Sequence, residues 1–238
     1  MLAPDKRTAY EKWQDTIKPA KTDARWNAYD SDIATALTEF ATHLSTSKGY
    51  VAPKASLIKA MIWTESGGPT ATAWSTRPMQ IGNSGDPGFS ALTGGKEGGE
   101  LVMPSALKSK LNGTSVNTPG MNIRAGIAYL LMRAATFETI SVLDKADPKK
   151  YEYTVKSGDS LDKIARDQGT TLTVLKALNP NASAMIKPGQ KIAFQKASMQ
   201  KVIKSWKTVD VNFAASKYNI GDSRYADKLN FCLTLMGN

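Results

Sequence analysis

Glu65 is the residue whose surroundings most favour acid chemistry. It follows Ile62 by three positions, Met61 by four and Ile58 by seven, which places it on the apolar face of a helix. Gly67-Gly68-Pro69 stops that helix, so Glu65 also sits in its last turn, where the helix dipole disfavours negative charge. Desolvation and the dipole both favour the neutral carboxyl and predict a raised pKa. A protonated carboxyl in an apolar cleft can protonate the leaving oxygen of a glycosidic bond. A structural Glu hydrogen-bonded to a loop would fit the same position equally well. Asp86, in Gly82-Asn83-Ser84-Gly85-Asp86-Pro87-Gly88, and Glu97 or Glu100 are candidates for a second acid. Asp86 before Pro87 also suits an ordinary turn.

Other chemistries find little support. The one cysteine, Cys232, lies in an apolar run and reads as a small buried hydrophobe, and no intrachain disulfide is possible. His43, the one histidine, has no second His or Cys to build a metal site with, so no metal and no organic cofactor is expected. The net charge of +10 attracts polyanions. The basic residues are dispersed, however, and no nucleic-acid recognition motif is present. No stretch reaches the roughly 18 apolar residues of a membrane span.

These residues need elements to hold them. Trp13, Ile17, Trp26, Ile33, Leu37, Phe40 and Leu44 recur at helical spacing through residues 5–46, with a break at Pro19. A helix follows over 53–66. Residues 69–120 are rich in Gly, Pro, Ser, Thr and Asn and predict loops, a small β-hairpin and a short helix at 104–111. Another helix starts near Asn122, with Gly126 inside it. The character changes near Asp147-Pro148, and residues 151–196 read strand, helix, helix, strand. Helices are expected again over 198–217 and 223–236. The fold class is therefore mainly α (α+β).

Ala60-Met61-Ile62-Trp63-Thr64-Glu65-Ser66-Gly67, Met79-Gln80-Ile81 and Asn122-Ile123-Arg124-Ala125-Gly126-Ile127-Ala128-Tyr129-Leu130 resemble, in order, three motifs of lytic transglycosylases and goose-type lysozymes. Arg77-Pro78 departs from that pattern, standing where the family usually has Gly-Leu. The resemblance implies a lysozyme-like helical domain with Glu65 as general acid. It also implies that Ser66, Met79, Gln80, Asn122 and Tyr129 bind substrate, and that Gly126 lets its helix approach that of Glu65. Asn122 could equally be a helix N-cap, and Met79 core filling. Asp86 corresponds to acidic residues in a hairpin of goose-type lysozymes. Phe213-Ala214-Ala215-Ser216-Lys217-Tyr218-Asn219-Ile220-Gly221 resembles a later transglycosylase motif, which implies that Tyr218 faces the site and bonds Glu65 or substrate. Tyr225-Ala226-Asp227-Lys228-Leu229 resembles the closing helix.

Tyr153-Thr154-Val155-Lys156-Ser157-Gly158-Asp159-Ser160-Leu161, Leu178-Asn179-Pro180-Asn181 and Ile186-Lys187-Pro188-Gly189-Gln190-Lys191-Ile192 resemble a LysM domain. That resemblance implies a βααβ module binding N-acetylglucosamine-containing glycans between two loops. Gly158, Asp159, Ser160 and Leu161 would lie on one side, with Asn181, Met185, Ile186 and Lys187 on the other. Asp159 and Ser160 also suit helix capping. The expected organisation is a catalytic first part at 1–148, an inserted LysM module at 149–197 and closing catalytic helices at 198–238.

Together the resemblances imply cleavage of the MurNAc-β-1,4-GlcNAc bond of peptidoglycan, by a muramidase or lytic transglycosylase held to the wall by LysM. The rival is a non-catalytic wall-binding adaptor. The N-terminus shows no apolar signal region, so delivery by a route other than a standard signal peptide, or a removed leader, is expected. Action would be in the bacterial periplasm or cell wall. This suits an antibacterial effector, with an immunity protein as partner, or a phage-type lysin.

Overall fold

The computed structural model describes residues 6–182 and 185–237. It is a mainly α, α+β structure. The chain divides into two compact units, Met1–Thr136 with Ile203–Asn238, and Phe137–Val202.

The first unit is helical. It contains α1 (Ala9–Ile17), α2 (Asp30–His43), α3 (Ala55–Ser66), α4 (Thr72–Thr76), α5 (Pro87–Thr93), α6 (Gly99–Val102), α7 (Ser105–Lys110) and α8 (Pro119–Ala134). α1 begins in a capping box, with Thr8 and Glu11 each satisfying the other's backbone amide. It ends where Pro19 enters a 3-10 turn at Lys18–Lys21. The Gly- and Pro-rich stretch folds into the four short helices α4 to α7 and contains no strand, so the expected hairpin is absent. Each breaker there ends one short helix and starts the next, as when Asp86 caps α5 with Pro87 at its first position.

α3 and α8 form the centre. Nearly every side chain of α8 from Asn122 to Ala134 is buried, and α3 buries Leu57, Ile58 and Ala60 to Trp63. Arg124 on α8 makes a two-pronged ion pair with Glu39 on α2, with nitrogen–oxygen distances of 2.8 Å. Gly126 has a different role from the one expected. A Cβ there would lie 2.5 Å from Met79 Sδ, so the glycine makes room for Met79 rather than for α3.

The chain leaves this unit along β1 (Ala135–Leu143) and returns along β4 (Ala197–Trp206), which pair as a two-stranded ribbon. The Lys207 amide donates to the Ala134 carbonyl and the Asp144 amide to the Lys196 carbonyl, so the strands run antiparallel. The expected helix over 198–217 is thus corrected: 197–206 is strand, and α11 spans only Val211–Lys217. Met199, Val202, Ile203 and Trp206 mimic helical spacing. Their real partners, in 135–143, are rich in Thr, Phe, Ile and Val and lie far away in sequence. α12 (Tyr225–Leu235) closes the first unit against α3, burying Tyr225, Leu229 and Cys232. The Cys232 thiol, pushed up to about 12 by burial, is inert packing.

The second unit holds β2 (Lys150–Thr154), α9 (Leu161–Asp167), α10 (Leu172–Leu178) and β3 (Lys191–Gln195). β2 and β3 pair antiparallel with Tyr153 opposite Ile192. Val155, Ile164, Ala165, Leu175, Ala182, Ile192 and Phe194 make its small core. Asn179 stitches α10 to β3: its amide nitrogen donates to Leu175 and Ala193 carbonyls at 2.8 and 2.7 Å, and its oxygen accepts the Ala193 amide at 2.9 Å. Asn179→Ala leaves those groups unpaired and is expected to destabilise this unit by about 2 kcal/mol. In hydrogen exchange on the full chain, protection should fall at Ile192 to Phe194 and stay unchanged in α8.

Candidate active site

Glu65 opens on a cleft of about 260 Å³ that is also lined by Met79, Gln80, Asp86, Tyr129, Tyr218 and Asn219. α3 delivers the carboxyl from its last turn. Gly67, in the left-handed conformation at φ +75°, ends the helix and returns its amide to the Trp63 carbonyl. Burial raises the Glu65 pKa above the ordinary carboxylate value, and hydrogen bonding from Asn219 only partly offsets this. The Asn219 amide nitrogen donates to Glu65 Oε1 at 3.3 Å. Larger hollows exist, such as the 690 Å³ groove lined by Thr38, Glu39, His43 and Pro104, but Glu39 there is held below its ordinary pKa by Arg124.

The walls come from two distant stretches. Met79 is fully buried with its amide donating to Asn122 Oδ1 at 2.8 Å. Its carbonyl accepts the Tyr218 hydroxyl at 2.7 Å. Tyr218 therefore bonds the cleft wall rather than Glu65, and Asn219, the next residue, makes the bond to the acid. The buried Tyr218 hydroxyl is held well above its usual pKa by desolvation and the nearby Glu65 charge, so it stays a donor. Its ring meets Tyr129 edge-on at 5.6 Å. Gln80 adopts φ +52°, an uncommon conformation for a residue with a Cβ. The Arg77 carbonyl holds it there, accepting both its amide and its side-chain nitrogen. The Arg77-Pro78 departure thus leads into a tightly bonded turn.

Two expected substrate contacts are corrected. Asn122 is fully buried within α8, neither exposed to the cleft nor capping the helix, whose cap is Thr118. Its oxygen takes the Met79 amide, and its nitrogen donates to Ile81 and Val116 carbonyls at 2.8 and 3.0 Å. Ser66 is also buried, with its hydroxyl donating to the Ile62 carbonyl at 2.6 Å. Both side chains are consumed by backbone groups.

Asp86 lines the cleft, but its two oxygens accept the amides of Gly82 at 2.6 Å and Gly88 at 2.7 Å. It shapes the loop at the start of α5. Glu97 is not part of the cleft lining and forms an ion pair with Arg133. Asp222, missed in the sequence, acts on Glu65 electrostatically, as does Lys228. The sequence marks Tyr225 only as the start of a closing helix. Nothing in the residue types marks these groups, because their approach to Glu65 depends on how α12 packs.

In the second unit, Asp159 turns inward. One oxygen accepts the Lys156 amide at 2.8 Å and the Tyr153 hydroxyl at 2.9 Å, and those bonds hold its pKa low. Ser160 caps α9 through the Lys163 amide. Gly158, at φ +82°, Asn181, Met185 and Lys187 are exposed, while Leu161 and Ile186 pack against the core. Val155 bonds Gly189 and Gln190 through its carbonyl and amide, which brings the start of the first loop to the last turn. Residues 153–194 match the LysM domain family. The chain carries a LysM domain. This supports binding to cell-wall peptidoglycan and is consistent with a place of action in the periplasm or outside the cell. No curated protein and no solved structure matches the chain. Among the described residues no helix is long and apolar enough to cross a membrane, and no cluster of His, Cys, Asp and Glu is placed to hold a metal ion.

Two outcomes follow from this site. Asn122→Ala strands three backbone groups and should cost about 2–4 kcal/mol in urea unfolding. Glu65 carries a raised pKa in the folded state. Its contribution to stability is therefore present below its unfolded pKa and lost as pH rises through the folded one. Glu65→Gln removes that loss. The variant should melt higher than wild type at pH 7, with the gap closing towards about pH 4, near the ordinary carboxylate pKa.

Proposed function

We propose that this protein cleaves the glycan strands of peptidoglycan at the MurNAc-β-1,4-GlcNAc bond, with Glu65 as general acid and the LysM domain holding the enzyme on its substrate. The observation that carries this reading is the enclosed carboxyl of Glu65, kept towards its protonated form at the floor of a cleft. The motif resemblance to lytic transglycosylases and goose-type lysozymes supports it.

A protonated Glu65 can give its proton to the glycosidic oxygen as the C1–O bond breaks. What happens next depends on the nucleophile. A hydrolase uses water activated by a second carboxylate. Asp86 is the candidate on the cleft wall, and both its oxygens already hold backbone amides. That engagement favours the route with one carboxyl. In it, ionised Glu65 takes the proton from the muramyl 6-hydroxyl, whose oxygen closes on C1 to give a 1,6-anhydro ring. Asn219 would steady Glu65 through both steps.

Digestion of purified peptidoglycan, with products read by mass spectrometry, tests the reading. Wild type should release anhydro-muropeptides, and Glu65→Gln should lower release at least about a thousandfold while still binding the wall. Reducing-end products would instead make Asp86 the second carboxylate. A wild-type protein that binds the wall and releases nothing would be a LysM adaptor and no glycosidase.

A further inference from the structure

Ile220 is unusual in its exposure. At 82%, it is second only to Met185 at 84% among the large apolar side chains of the described residues. Met185 lies on a loop where the LysM resemblance expects glycan. Ile220 lines the cleft of Glu65. A lone apolar side chain on an open surface needs no explanation, but one displayed at the mouth of a cleft does. The loop that carries it is fastened on both sides. Before it, the Tyr218 hydroxyl donates to the Met79 carbonyl at 2.7 Å, and the Asn219 amide nitrogen donates to Glu65 Oε1 at 3.3 Å. After it, Asp222 accepts the Arg224 amide at 2.9 Å and pairs with Lys228 at 2.7 Å. These anchors hold Ile220 in the open beside the acid. Of the other aliphatic side chains lining the cleft, Met79 and Ile81 are buried at 0% and 3%. A ligand therefore meets Ile220 and the ring of Pro87 in their place.

We propose that Ile220 is a substrate-contact residue whose side chain receives the 2-acetamido methyl of an amino sugar lying beside Glu65. The class of ligand, a glycan of N-acetylated sugars, rests on the function proposed above. The hydroxyls and amide of such a sugar need polar partners, and its acetamido methyl gains by leaving water. A compact branched side chain matches a methyl group, whereas the broad C–H face of a sugar ring is better covered by a flat aromatic one. At about 260 Å³, the cleft is smaller than most small-molecule sites, so a single sugar fills it and its substituents reach the rim where Ile220 stands. Loss of the acetyl group leaves an ammonium in place of the methyl, and an aliphatic side chain offers nothing to a charge. Ile220 thus biases the cleft towards fully N-acetylated strands.

The test is binding of a peptide-free tetrasaccharide of alternating GlcNAc and MurNAc, and of its de-N-acetylated form, to the full chain. The chain carries Glu65→Gln so that nothing is cleaved. NMR of 13C-labelled isoleucine methyls separates the two sites, with Ile81 reporting the cleft and Ile186 the LysM domain. The acetylated strand should move the Ile81 signal and give a nuclear Overhauser contact between the Ile220 and acetamido methyls. Adding Ile220→Ser should weaken its binding at Ile81 about fourfold, the value of one methyl-sized apolar contact. Ile220→Val should keep the affinity to within about twofold. The de-N-acetylated strand should bind the cleft no better with Ile220 than with serine. Melting temperatures should not change, because so exposed a side chain adds little to stability, and Ile186 should titrate alike in every variant. A missing methyl contact, equal weakening of both strands by Ile220→Ser, or a glycan that moves Ile186 alone overturns the proposal. If the contact and the weakening appear and wild type releases no muropeptides from the wall, the proposed activity fails while this contact stands. Release by wild type without any effect of Ile220→Ser does the reverse.

Discussion

A carboxyl group withdrawn from water is the constraint around which the first unit is arranged. Its ionised form loses hydration that the protein must replace, and its neutral form needs donors and acceptors that suit a proton. Glu65 meets this through the packing of α12 on α3, which encloses it, and through Asn219, which bonds it. The rest of the unit keeps that enclosure in register. Asn122 pins the 79–81 segment, Met79 fills the space left at Gly126, and Tyr218 ties the closing segment back to Met79. The Asn122 and Tyr218 side chains spend their polar capacity on backbone.

The LysM domain is built on a different economy. Its core is a handful of aliphatic residues and Phe194, so polar stitching does much of the work of fixing loops. Asp159 closes the turn after β2, Ser160 starts α9, Thr171 starts α10, and Asn179 fastens α10 to β3. A unit of this size has little buried surface to spare, and satisfied hydrogen bonds at its turns decide its shape.

How much of this could be read from the sequence depended on range. The four elements of the LysM domain, the end of the Glu65 helix at Gly67 and the break at Pro19 are local signals, and each is where its residues pointed. The β1–β4 ribbon was not legible, because strand pairing across some sixty intervening residues leaves no trace in either segment alone. Asn122 shows a second limit. Its residue type and helical position fit a cap or a sugar contact, and only the return of residues 79–81 against α8 turns its amide inward. Asp86 shows the converse, since its turn chemistry was visible and its place on the cleft wall needed the fold. The groups on α12 were hidden for the same reason as the ribbon: they lie some 160 positions from the residue they act upon.

The ribbon has a further consequence, for the order in which the protein is made. Because the LysM domain interrupts the first unit, α11 and α12 are translated after it. A ribosome that has finished α3 and α8 has made Glu65 and half of its cleft, but not Asn219 or Tyr225. Until those arrive, the carboxyl lacks the Asn219 donor and the cover of α12. Enclosure of the acid is thus a late event in biosynthesis, reached only when the second portion of a split unit finds the first.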